Sequence, residues 1–109
     1  MNTPHSGEIA AFELAKLVEY QPGSVVSRSV VKNKGGNVSV FAFDGGQELS
    51  EHTAPFDALV MILDGTAQVA VQGLPVELRA GQSVILPANK PHAVKAVTRF
   101  KMMLTMIKG

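Results

Sequence analysis

Ala58-Leu-Val-Met-Ile-Leu-Asp-Gly65-Thr-Ala-Gln-Val-Ala-Val71-Gln-Gly73 decides how the rest of the chain is read. Residues 58–63 form an unbroken apolar run that ends at Asp64-Gly65, a dipeptide favoured in tight hairpins. Residues 66–71 answer it with Ala67, Val69 and Val71 on one face, so a hairpin is expected between these two segments. Gln72-Gly73 closes another hairpin, into 76–78. The same grammar extends outward in both directions. Upstream lie the alternating segments 24–32, 38–43 and 48–53, separated by Lys34-Gly35-Gly36-Asn37 and Asp44-Gly45-Gly46, with Pro55 after the third. Downstream lie 84–86, 92–97 and 100–107, the first preceded by Ala80-Gly81. Nine or ten short strands with no interior helix predict an all-β double-sheet roll or closed barrel, which leaves few exposed sheet edges.

A chain of 109 residues has the ordinary size of one domain, with 46% apolar residues to build a core and 17% charged, too few for disorder. Residues 1–23 read as an N-terminal arm with one or two helical turns in 12–18, stopped by Pro22-Gly23, and 24–109 as the barrel. His5, in the arm, reads as a solvated residue. The net charge of +1 comes from basic residues scattered between Lys16 and Lys108, which is not the footprint of a nucleic-acid or anionic-membrane binder. The lack of cysteine excludes disulfides, thiolate metal sites and a cysteine nucleophile. Residues 1–7 lack the apolar core of a secretory signal, and no run reaches the ~20 apolar residues of a membrane span, so a soluble, cytoplasmic protein is expected.

Two segments resemble the paired motifs of the cupin family. Gly46-Gln-Glu-Leu-Ser-Glu-His52-Thr-Ala54-Pro-Phe-Asp57-Ala58, continued to Gly65, is similar to the first, and Gly81-Gln-Ser-Val-Ile-Leu-Pro87-Ala-Asn89-Lys-Pro-His92-Ala-Val-Lys-Ala96 to the second. The resemblance implies a small single-domain cupin, a double-stranded β-helix of the RmlC-like jelly-roll kind. It also implies a metal site of two histidines and a glutamate from the first motif and one histidine from the second. His52 and His92 match the outer histidines, whereas Ala54 stands at the second histidine position and Ala58 at the glutamate position. Asn89 and Ala96 replace the glycine and asparagine of the second motif.

Half a ligand set leaves a divalent ion mostly to water, because a stable site generally wants three or more protein ligands. Any metal held by His52 and His92 (zinc, nickel, iron or manganese) is therefore expected to be labile. Asp57 is the nearest carboxylate for a third ligand, although strand alternation turns it to the other face unless the Pro55 loop shifts the register. The two rings are expected within about 5 Å of each other, close enough to share one ion or water. An equal reading makes the histidines part of a ligand pocket, with Met61, Met102, Met103 and Met106 as candidate lining.

Two functions follow from these residues. One is a binding module for a small organic ligand, with or without a metal. The other is a metal-dependent enzyme of dioxygenase, isomerase or decarboxylase type, with Asp57 or Glu51 as base. Residues 58–63 and 100–107 are apolar on both faces, whereas a lone antiparallel sandwich has one solvated face per strand. A homodimer is expected to cover the second face, with the same chain's segment 12–18 as the competing cover.

Overall fold

Alternating β-branched and aromatic residues make the strands, and glycine-bearing turns set their ends. The structure, a computed structural model, describes residues 9–108. These form β1 Val25–Asn33, β2 Gly36–Phe43, β3 Glu48–His52, β4 Asp57–Asp64, β5 Thr66–Val71, β6 Leu74–Arg79, β7 Ser83–Leu86, β8 His92–Ala96 and β9 Phe100–Ile107. His5 lies outside the described residues. The strands build two antiparallel sheets, ordered β1-β2-β9-β4-β7 and β3-β8-β5-β6. Together they make the all-β jelly-roll barrel expected from the strand pattern.

The core lies between the sheets. Val60 and Ile62 of β4, Val69 of β5, Phe43 of β2, and Phe100 and Met102 of β9 are fully buried there. Phe43 and Phe100 are register partners whose rings stack at 4.4 Å between centroids. The Gln72-Gly73 hairpin forms as expected: Val71 faces Leu74, and both loop residues have positive φ, 54° and 77°. A type I′ turn requires that combination.

Asp64-Gly65 does not make a hairpin. β4 and β5 lie in different sheets, because both edges of β4 are already taken, by β7 and by β9. The dipeptide instead carries the chain across the corner of the barrel. Gly65 has φ 75°, and a Cβ placed there would stand 2.0 Å from the Arg99 carbonyl oxygen. Turn chemistry was legible in the sequence, but the identity of the partner strand was not.

The outer face of the five-stranded sheet is partly covered by the chain itself. Within 12–18 only a single 3-10 turn forms, Leu14–Lys16. Beyond it, Leu17 and Val18 are buried on Val40 and Ala42, with Val26, Val30, Leu63 and Met103 packed around them. Lys101 donates from Nζ to the Ala15 carbonyl at 2.6 Å, and the Tyr20 hydroxyl donates to Asp64. Burial first, and the Asp64 carboxylate second, push the Tyr20 phenol well above its ordinary range. Leu59, Met61 and Ile85 lie outside this cluster, and Ile85 is 62% exposed. No helix among the described residues is long and apolar enough to cross a membrane.

Gly65→Ala combines a left-handed backbone with a clash against backbone that cannot swing away, so it should cost about 2 kcal/mol or more of folding free energy. Gly45→Ala, at an exposed position with nothing within 4 Å of the added methyl, should change stability by less than about 0.5 kcal/mol. Urea denaturation of the two variants measures the contrast; equal stabilities would show that the corner relaxes freely.

Candidate functional site

The end of β3 meets the start of β8, and the register pairs His52 with His92 directly. Three hydrogen bonds fix the loops around this pair. Asn89, at the motif glycine position, adopts φ 64°, a left-handed conformation that asparagine tolerates better than most residues. Its N–H donates to the Ala54 carbonyl at 2.7 Å, joining the loop after β7 to the loop after β3. The Ala88 N–H donates to Asp57 Oδ1 at 2.8 Å, and the Gln72 N–H to the Pro91 carbonyl at 2.8 Å.

Within this frame the imidazoles converge. Their Nε2 atoms are 3.2 Å apart and their ring centroids 4.3 Å. His92 is 8% exposed, and His52 sits at the more exposed mouth. His52 Nδ1 faces the Ser50 carbonyl at 3.0 Å and His92 Nδ1 the Lys90 carbonyl at 3.3 Å. A carbonyl only accepts, so each Nδ1 is assigned the hydrogen. With both rings neutral, bare Nε2 lone pairs face one another, a repulsive arrangement that a shared proton or a metal cation between them reverses. Nitrogens held about 2.0–2.1 Å from a tetrahedral ion stand about 3.3 Å apart, close to the separation seen here. The pair therefore fits as two ligands of a metal, each ring oriented through its second nitrogen as metal-binding histidines usually are.

It does not fit as part of a larger set of the usual kind. Among the described residues, no three of His, Cys, Asp and Glu come together as metal ligands. Asp57 does not group with the two histidines, and its carboxylate accepts from the Ala88 amide on the neighbouring loop. Glu51 lies with Glu48 along a groove on the other side of β3. The cavity beside the histidines, about 70 Å³, is lined by Leu49, Phe56, Val60, Leu86, Val94 and Leu104, together with Ala54, Ala58, Met102 and Met106. Both alanines at the motif ligand positions thus still border the cavity, as methyl groups.

Met102 lines the cavity, but Met61 does not. It pairs across β4 with Met103 and Ser83 on the outer face, because the inward parity of that strand belongs to Ala58, Val60 and Ile62. Met106 also lines the cavity, sharing the parity of Met102 along β9, whereas Met103, on the other parity, does not. Leu104, Leu49 and Phe56 were missed as lining.

The profile of the Cupin domain family matches residues 39–108. A conserved protein of unknown function from Streptococcus pyogenes is 31% identical, with 99% of this chain and 93% of that one covered and a TM-score of 0.87. A cupin 2 conserved barrel domain protein from Leptotrichia buccalis is 43% identical over 89% of this chain, which spans about half of that protein (47%), with a TM-score of 0.86. A cupin superfamily protein from Desulfitobacterium hafniense is 28% identical over 98% of this chain and 95% of that one, TM-score 0.87. No curated protein matches the sequence.

Burial first, and charge on His52 second, hold the His92 pKa below its ordinary 6.5, against the opposing pull of the Lys90 carbonyl. A base whose folded pKa is depressed binds fewer protons folded than unfolded, so its contribution is complete above pH 6.5 and is lost as pH falls through the folded value. Urea denaturation at pH 7.5 and 5.0 should show folding stability declining on acidification, and His92→Gln should flatten that decline. An equal decline in the variant would assign it to other groups.

Proposed function

The chain belongs to the cupin family, and from that premise we propose that it is a binding protein, taking a small and largely apolar organic ligand into the barrel cavity beside a weakly held metal ion. The observation that carries this reading is the lining: a mostly apolar cavity whose only ring nitrogens, among the described residues, are the converging pair His52 and His92. Ala54 and Ala58 withdraw two donors and leave room and apolar surface in their place. When bound, a metal ion supplies a Lewis-acid position at one end of the cavity. The chain's own part is to orient two imidazoles through the Ser50 and Lys90 carbonyls and to exclude water with Phe56 and the leucines. An enzyme of the metal-dependent kind needs a base beside that position, and Asp57 and Glu51 are both directed elsewhere. That favours binding over catalysis.

Calorimetric titration of zinc or nickel into chelator-treated protein should show weak binding that His92→Gln abolishes. Dialysis against a strong chelator should remove the ion completely and shift the melting temperature by less than about 2 °C. Stoichiometric divalent metal that survives such dialysis would refute the weak site.

The uncovered outer face supports a second copy of the chain as partner. Leu59, Met61 and Ile85 sit side by side on β4 and β7, beyond the reach of the N-terminal cluster, and apolar patches of this kind mark interaction surfaces. Sedimentation at micromolar concentration should return a two-chain mass, and Ile85→Glu a one-chain mass. A one-chain mass for the native protein would exclude the dimer.

A further inference from the structure

Oxygen donors are missing beside the histidines, but sulfur is not. Met102 and Met106, on the inward parity of β9, open on the same cavity as His52 and His92. The register sets Met106 directly opposite Ala58, where a carboxylate ligand would otherwise stand. A methionine has three rotatable bonds and a polarisable thioether, so it adapts its reach to an irregular space. The alanine methyl beside it leaves that space open.

We propose that this cavity is a site for monovalent copper, held by His52 Nε2, His92 Nε2 and the Met106 thioether, with Met102 as a second thioether lining the same space. The proposal rests on the metal-binding reading above and names the ion. Three physical arguments converge on it. Thioethers are soft donors that select copper(I), whereas zinc, nickel and manganese gain little from them. No carboxylate lines the cavity to balance a divalent charge, and the cost of burying an ion rises with the square of its charge, about four-fold from one to two. Copper(I) is also satisfied by two or three ligands, so the two nitrogens and one sulfur complete a set that leaves a divalent ion dependent on water. A donor set counted in His, Cys, Asp and Glu alone is short; counted with methionine it is sufficient.

Copper(I) is titrated under argon into the full chain against a chromophoric copper(I) chelator, with zinc(II) and nickel(II) titrated separately. One equivalent of copper(I) should bind more tightly than either divalent ion, and X-ray absorption should show a sulfur neighbour at about 2.3 Å. Met106→Leu conserves volume, and its fold is checked by thermal melting. It should weaken copper(I) binding about ten-fold or more and change zinc binding less than about two-fold. If Met106→Leu and Met102→Leu both leave copper(I) affinity unchanged while His92→Gln abolishes it, the thioether site is overturned and the histidine site stands. A copper shell of nitrogen and oxygen alone overturns it equally. If native protein binds neither copper(I), zinc nor nickel, the metal-binding reading falls along with it.

Discussion

The hydrogen bond from the Asn89 amide to the Ala54 carbonyl, 2.7 Å long, is the constraint on which the cavity depends. β3 and β4 belong to different sheets, as do β7 and β8, so no ladder continues across the two loops between them. The loop-to-loop bond satisfies this amide while fixing the spacing of both motif segments. The Asp57 carboxylate adds a second tie, to the Ala88 amide. With the loops joined, His52 and His92 have little freedom except to face each other, and their Nδ1 contacts remove most of what remains. The site is thus a product of backbone accounting more than of side-chain attraction.

Period-two alternation, glycine turns and motif spacing were enough to read the strands, because each is a local property of the chain. Pairing is not local. The Asp64-Gly65 dipeptide has the composition of a hairpin, and only the occupation of both edges of β4 makes it a corner. Met61 has the chemistry of a cavity lining, but the inward position of Ala58 on the same strand places it outside. Asp57 precedes the inward-facing Ala58 on β4, and what the sequence does not carry is that its carboxylate has a partner of its own on the neighbouring loop. The closeness of the two histidines was legible from the motifs, whereas the carbonyls beside their Nδ1 atoms come from the backbone two residues before each ring, in β3 for Ser50 and in the loop before β8 for Lys90.

Replacing two ligands by alanine changes the electrostatics of a barrel more than its shape. A carboxylate and an imidazole beside the histidines would offer a divalent ion both charge and coordination, and would keep water near it. Here the same positions are methyl groups, bordered by Phe56, leucines and methionines. The cavity therefore favours species that need little solvation. Burial of His92 acts in the same direction, since it disfavours a second positive charge at the pair.

The N-terminal segment makes several of its contacts far along the chain. Ala15 accepts from Lys101, Tyr20 lies under Arg99 at 4.6 Å, and Met103 packs beside Leu17 and Val18. β9 also runs between β2 and β4 in the middle of the five-stranded sheet. The strand that completes the larger sheet is therefore the last of the nine to leave a ribosome, and the segment around Ala15 must wait for it, since Ala15 and Lys101 are 86 positions apart. Contacts of such long sequence separation make folding slow relative to a helical chain of equal length. They also make it an event that follows synthesis of β9, during which the apolar faces of β2 and β4 stay open to chaperones or to misassembly.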